Sequence, residues 1–271
     1  MTLVEFEKLF GKRPALIGVV HLLPLPGSPR YAGNFQAVLE QALRDARSYA
    51  DAGFDGLIVE NFGDAPFFAG QVGPETVAAL AVVTSKIRTA VDLPVGVNVL
   101  RNDARAALSV AAVAGGNFIR VNVHTGAMVT DQGLIQGDAA ATLRYRKTLS
   151  ADVRIFADVL VKHAAPLVEV PLEQAAVETI ERGLADAVIL TGKATGAEAD
   201  PVAVASVKEV LPDVPVLVGS GIMPVNLRHF ARADGFMVGS AAKVGGKASG
   251  PVDLERARAL VEAIEEVSEQ T

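Results

Sequence analysis

The sequence predicts a single α/β domain folded as a (β/α)8 barrel, a TIM barrel of the phosphate-binding type, and three observations lead there. The chain has 271 residues, close to the ~250 such a barrel needs. Short β-branched runs alternate with helical patterns in eight rounds from residue 15 onward, the rhythm of parallel βα units. Two glycine turns, Gly219-Ser220-Gly221 and Gly239-Ser240, follow the seventh and eighth strands, where such barrels frequently hold a phosphate. No shift in composition marks a second domain, so residues 1–271 are read as one. An open doubly wound sheet would carry a Gly-rich turn after its first strand; here that turn, residues 22–28, is rich in proline.

The elements follow in order. The first strand is read at 15–21 and its helix at 35–52, where Val38, Ala42, Leu43 and Ala46 share a face before Gly53 stops it. Strand two covers 56–60 and leads through a loop, 61–73, to a helix opened by Pro74 and ending near residue 91. Strand three is read at 95–99, with a helix from Asp103 to the stop signal Gly115-Gly116. Strand four covers 118–123, followed by a long loop, 124–137, and a helix to about Leu149. Strand five is read at 153–160 with a helix at 172–182, and strand six at 187–190 with a helix at 201–210 capped by Asp200. Strand seven, 216–218, precedes a short helix at 225–231; strand eight, 235–238, precedes the last helix at 254–267.

Half the residues are apolar and only 5% aromatic, with no Trp, so Ala, Val, Leu and Ile must fill the core, as in strands buried on both faces. A net charge of −6 without clustered Lys and Arg leaves no electrostatic footprint for nucleic acid. The absence of Cys removes disulfides, thiolate nucleophiles and Cys metal sites, and fits a reducing cytoplasm. Glu5 and Glu7 interrupt the N-terminus before an apolar run builds, so no secretory signal is expected. No apolar stretch approaches the ~20 residues of a membrane helix. A cytoplasmic protein is the expectation, and a homo-oligomer is compatible with it.

In such a barrel the chemistry is confined to the C-terminal ends of the strands and the loops after them. The glycines of the two turns let backbone N–H groups approach an anion, and a following helix N-terminus would add positive charge. As plain tight turns they would need no ligand. Lys243 either adds a cation there or sits on the surface. His21 ends strand one, and Arg30, past the prolines, is suited to clamp an anion bidentately. Glu60 ends strand two, a natural general acid or base if its pKa is raised, or else the partner of a cation at the mouth. Asn98 on strand three suits a sugar-like hydroxyl, whereas Asp103 reads as a helix cap. Arg120, Asn122 and His124 share one side of strand four by period two, which places them inside the barrel or at its mouth.

Strand five carries Asp158 and Lys162. If it stays extended, both share a side, Asp158 deep and Lys162 at the rim, while His163 turns away. A desolvated lysine suits a base or a Schiff-base nucleophile; an Asp–Lys ion pair, or a lysine holding phosphate, is the alternative. Strand six offers Thr191-Gly192-Lys193 for hydrogen bonding. Catalysis is thus assigned to Glu60, Asp158 and Lys162. Glu60, Asp158, His21 and His124 could converge on one divalent metal, but no tight ligand spacing such as two His at i, i+4 is present and no metal ligand is assigned.

The motifs also carry a resemblance. Gly18-Val19-Val20-His21-Leu22-Leu23-Pro24-Leu25-Pro26-Gly27-Ser28-Pro29-Arg30-Tyr31, Glu60-Asn61-Phe62-Gly63-Asp64-Ala65-Pro66-Phe67 and Val97-Asn98-Val99-Leu100-Arg101-Asn102-Asp103 are followed by Phe118-Ile119-Arg120-Val121-Asn122 and Ala157-Asp158-Val159-Leu160-Val161-Lys162-His163-Ala164. Together they resemble the BtpA family, which includes the SgcQ-like proteins of sugar-utilisation operons. The resemblance implies a barrel related to phosphate-binding barrels, and the family name implies a role in photosystem I biogenesis or stability in cyanobacteria. Similar proteins occur in organisms without a photosystem.

Two functions are therefore expected as alternatives. One is an enzyme acting on a phosphorylated small molecule, a sugar or nucleoside phosphate, by isomerisation, lyase chemistry or glycosidic cleavage. The other is a non-catalytic assembly or stability factor for photosystem I, which needs a docking surface such as an exposed apolar patch on the proline-rich rim.

Overall fold

In a computed structural model of the chain, which describes residues 1–192 and 197–269, the βα alternation closes on itself. The chain begins with helix α1 (Leu3–Phe10), then β1 (Ala15–His21), α2 (Phe35–Ala52), β2 (Gly56–Glu60), α3 (Pro74–Ala90), β3 (Val95–Asn98) and α4 (Ala104–Ala114). It continues through β4 (Phe118–Val121), β5 (Ala127–Thr130), β6 (Gly133–Gln136), α5 (Ala139–Thr148), β7 (Arg154–Asp158), β8 (Ala164–Pro166) and α6 (Leu172–Glu181). The remaining elements are β9 (Ala187–Leu190), α7 (Pro201–Val210), β10 (Val216–Val218), β11 (Gly235–Val238) and α8 (Leu254–Glu269).

Eight strands form a closed barrel in the order β1-β11-β10-β9-β7-β4-β3-β2, all neighbours parallel. The helix boundaries have local causes. Asn34 and Asp103 each accept a backbone N–H of the first turn of α2 and α4 through their side chains, and Gly53 and Gly115 end those helices at φ 94° and 76°, a left-handed conformation costly for residues with a Cβ. Asp103 is thus the helix cap the sequence suggests.

Three features depart from the sequence reading. The first is α1, which no strand–helix rhythm announces. Its capping box joins Thr2 and Glu5, and it carries Phe6 and Phe10 into the N-terminal end of the barrel, where their rings meet Phe156 and Phe118. The second is the loop at 124–137, which contains the antiparallel hairpin β5–β6, extended by β8 into a three-stranded sheet. Met128 and Ile135 pin its inner face to Val123 and Val161.

The third concerns strand ends. Strand four stops at Val121 because Asn102 takes over the backbone of Val123: its Oδ1 accepts the Val123 N–H at 2.8 Å and its Nδ2 donates to the Val123 carbonyl at 2.9 Å. Strand five stops at Asp158, with Leu160 at φ 47°. The short helix expected after strand seven is a 3-10 turn, Leu227–Phe230, whereas the helix expected after strand eight is α8, separated from Gly239 by the 3-10 turn Ser240–Ala242.

Phe6 is completely buried at the barrel floor. Phe6→Ala is expected to lower unfolding free energy by about 3–5 kcal/mol. An unchanged midpoint in urea would mean that α1 caps the barrel without contributing to its core.

Candidate active site at the barrel mouth

The inward-facing positions change character two residues along four neighbouring strands. Ile58, Gly96, Phe118 and Phe156 are followed on the same side by Glu60, Asn98, Arg120 and Asp158. The deeper layer is apolar and packs with Phe6 and Phe10; the next is polar and buried. Gly96 is needed for this step, since a Cβ there would lie 2.2 Å from the Phe118 ring.

Arg120 organises the polar layer. Its Nε and Nη2 donate to the Asp158 carboxylate at 3.1 Å each, and its Nη1 donates to Glu60 Oε1 at 3.3 Å. Asn98 Nδ2 donates to the same Glu60 oxygen at 3.1 Å, and Asn122 Nδ2 donates to Asp158 at 2.6 Å. Because a carboxylate only accepts, the Asn122 amide cannot flip, so Oδ1 is the atom turned away from Asp158. That oxygen is buried without a partner.

A cavity of about 560 Å³ opens above this layer. His21, Glu60, Asn98, Arg120, Asn122 and Lys162 line it, together with Gly219, Ser220, Gly239 and Ser240. Lys162 is presented from a fixed backbone: its N–H donates to Thr191 Oγ1 at 3.1 Å and its carbonyl accepts from Arg101 Nη2 at 2.7 Å. The chain from Asp158 to Lys162 is not extended as the shared-side reading required, so His163 also lines the cavity. Thr191 therefore braces Lys162 rather than forming the wall.

Charge is distributed unevenly. Burial works against ionisation of Glu60, but Arg120 and the other groups that favour its charge outweigh it and hold the carboxyl below its ordinary range. The raised pKa that would make Glu60 a general acid is not there; it is a standing anion. Burial, then Arg120, lower Lys162 to about 8. Burial, then Lys243, push His21 down to about 3. The imidazole is thus neutral. Its Nδ1–H is assigned as donor to the Ala248 carbonyl at 2.9 Å, which leaves Nε2 as an acceptor, 3.6 Å from Glu60 Oε2; this contact is no ion pair.

Other sequence assignments move. Asp158 is enclosed behind Arg120, with no exposed side chain, and is not in the cavity wall; it positions Arg120. His124 turns away and bonds the Gly183 carbonyl at 2.8 Å, because the strand has ended before it. The metal set therefore does not converge: His124 is elsewhere and Arg120 occupies the space between Glu60 and Asp158. Among the described residues, no group of three or more acidic, His or Cys side chains is arranged to hold a metal.

Arg30 is exposed and outside the cavity. Lys243 is buried, 3.8 Å from Asp45, neither on the surface nor in the wall. Gly221, at φ 73°, faces Ala197 and Glu198 instead of the cavity. The Ser220 hydroxyl is engaged by the Gly192 N–H and the Ala197 carbonyl. A Cβ on Gly239 would lie 2.9 Å from the His21 ring, so that glycine makes room for the imidazole. No α-helix follows either turn directly, and the helix charge expected of a phosphate cradle is missing there. Lys193 lies outside the described residues. On the proline-rich rim Leu22 and Leu25 are buried and Leu23 is 39% exposed.

The cavity also contains residues not selected from the sequence. Arg101 follows β3 and is buried in the wall; Asp131 and Gln132 form the turn of the β5–β6 hairpin; Phe62 and Phe67 supply apolar surface. Gln132 Nε2 donates to Asp131, and its Oε1 is buried without a partner. Arg101 was visible as a charge just past a strand end; the hairpin gave no comparable signal.

Replacing Arg120 by Met leaves two buried carboxylates facing each other, and should cost about 3–5 kcal/mol of stability, read by urea unfolding; a loss under 1 kcal/mol would deny Arg120 this role. A second expectation follows from Lys162. Its pKa is about 8 folded and 10.5 ordinarily, so between these values the unfolded chain holds more protons and stability rises with pH. Lys162→Met should therefore raise Tm at pH 7, with the gain shrinking from about pH 8 upward and gone above about pH 10.5. A lower Tm at pH 7 would contradict it.

Comparison with known proteins agrees with the fold. A phosphoribosyl anthranilate isomerase of Thermus thermophilus superposes with TM-score 0.57 at 13% identity, over 93% of this chain and 99% of that one. An uncharacterized protein of Pyrococcus furiosus is 50% identical over 93% of this chain and 95% of its own length. The photosystem I biogenesis protein BtpA of Synechocystis is 48% identical over 97% of this chain and 92% of its own. With the BtpA family model matching residues 12–266, the chain belongs to the BtpA family.

Proposed function

We propose that the protein is an enzyme acting on a phosphorylated small molecule, a sugar or nucleoside phosphate, by isomerisation, lyase chemistry or glycosidic cleavage. One observation carries this reading. Arg101 and Lys162 both line the cavity, and among the described residues neither has a carboxylate within 4.0 Å, because Arg120 engages Glu60 and Asp158. Two cations inside a concave site with no carboxylate in direct contact suit an anionic group, and a guanidinium suits phosphate in particular.

The neutral part of the ligand would meet His21 Nε2, an acceptor in the cavity wall that suits a hydroxyl or amino donor. Phe62 and Phe67 suit the apolar face of a sugar or base. Lys162, lowered to about 8, is the reacting group in this reading, with Glu60 as a proton acceptor and Gly219 and Gly239 supplying close backbone approach. The non-catalytic alternative has less support: only Leu23 of the three rim leucines is exposed. The BtpA relative's name, photosystem I biogenesis protein, describes that protein.

The test is thermal unfolding of the whole chain with phosphorylated sugars and nucleotides, each beside its dephosphorylated counterpart, with and without Mg²⁺. A ligand at a hundredfold its Kd should stabilise by about 2.7 kcal/mol. Arg101→Met should abolish that shift. Equal shifts from phosphorylated and dephosphorylated compounds would overturn the phosphate assignment.

A further inference from the structure

We propose that Lys162 forms a covalent imine with an aldehyde or ketone carbon of the substrate, so that the ligand of this cavity is a carbonyl compound. The proposal rests on the reading of the cavity as a substrate site and deepens it by naming the reacting group of the ligand.

Geometry carries the argument. A lysine becomes a nucleophile when its amine is accessible, desolvated and not held by an acid. Lys162 lines the cavity, its backbone is fixed from both sides by Thr191 and Arg101, and among the described residues no hydrogen bond or ion pair holds its amine. Lysines bound structurally look different in this same molecule. Lys208 donates to two carbonyls and to Asp234 Oδ2, and Lys243 is sealed beside Asp45 away from any ligand.

The segment bearing Lys162 is also strained. Leu160 and His163 hold φ of 47° and 57°, left-handed values that cost a non-glycine residue about 1 kcal/mol or more and recur at functional sites. Strain on both sides of one lysine, fixed by hydrogen bonds to its own backbone, presents the amine from a defined position. The pKa of about 8 agrees with this arrangement, since it leaves a substantial neutral fraction near pH 8.

The step balances without a further reactant. The neutral amine of Lys162 adds to the carbonyl carbon; a C–N bond forms and the C=O π pair moves to oxygen, which takes a proton released from nitrogen. The carbinolamine hydroxyl then accepts a second proton, the one the Lys162 ammonium gave to Glu60 on becoming a neutral amine, and leaves as water while the nitrogen lone pair closes the C=N bond, giving an iminium and restoring the Glu60 carboxylate. Glu60, an anion in the same cavity with one oxygen free of hydrogen bonds to Arg120 and Asn98, is suited to hold that proton between the two steps. A phosphate or carboxylate on the same substrate would lie against Arg101.

The full-length protein is incubated with sodium cyanoborohydride and, separately, pyruvate, dihydroxyacetone phosphate and ribose 5-phosphate, and adducts are located by peptide mass mapping. Parallel melting curves include glycerol 3-phosphate, which has no carbonyl. One adduct is expected, at Lys162, forming at least about tenfold faster at pH 8 than at any exposed lysine, because far more of its amine is neutral. That preference should vanish in urea and in Lys162→Arg. Labelling spread evenly over exposed lysines overturns the proposal. So does stabilisation by the phosphorylated compounds with no Lys162 adduct, which leaves the phosphate reading standing. An adduct from pyruvate with no stabilisation by any phosphorylated compound does the reverse. Neither adduct nor stabilisation overturns both.

Discussion

The guanidinium of Arg120 ties together three strands that the sequence separates widely: its own, the strand ending in Glu60 and the strand ending in Asp158. Burying three charges is unfavourable unless each finds a counter-charge and its remaining hydrogen bonds are met. Here Asn98 and Asn122 complete the carboxylates. The polar layer is therefore self-consistent as a unit, and removing one member affects all the others. The rest of the mouth inherits its properties from this triad. Glu60 is an anion because Arg120 faces it. Asn122 turns its oxygen away from Asp158 because its nitrogen donates to that carboxylate. Lys162 and Arg101 are left without carboxylates because these are already engaged.

Below the triad the barrel is filled by Phe118 and Phe156, closed from the N-terminal end by Phe6 and Phe10. Water is thereby kept from the underside of the polar layer, and the low local polarity strengthens its charge interactions while depressing the pKa of the nearby lysine. The helix that closes the floor and the cavity that forms the mouth are thus physically coupled. Gly96 on β3 leaves room for the Phe118 ring between them, where a Cβ would lie 2.2 Å from it.

Much of the fold could be read from the chain because the period-two and period-3.6 patterns reflect local sterics and burial: all eight barrel strands and the caps Asp103 and Asp200 fall where expected. The same periodicity brought out Arg120 and Asn122, and adjacency to a strand end brought out Glu60 and His21. What failed was continuation. His124 and Lys162 were placed by assuming strands that run on, whereas Asn102 captures Val123 from another loop and Leu160 enters the left-handed region. Such events depend on long-range partners, to which periodicity is blind. The hairpin was hidden for a related reason: its inner face is covered by Val123 and Val161, residues beyond the strands that a local pattern can assign. Helix α1 gave a capping box but no place in the βα count.

The glycine turns illustrate a different limit. Their placement after strands seven and eight suggested an anion cradle, yet Gly239 accommodates His21, Gly221 lies against Ala197 and Glu198, and only short 3-10 turns follow. Backbone N–H groups without a helix behind them supply little fixed charge. In the proposed site the burden passes to side chains, and Arg101 and Lys162 are not equivalent. An arginine retains its charge even when buried, so Arg101 remains a cation in the wall and is suited to meet an anion. A lysine has a second course, giving up its proton, and Lys162 is already shifted toward it. The same desolvation acting on two cations therefore separates their parts: the guanidinium holds the anionic end of a ligand, and the amine beside it is available to react.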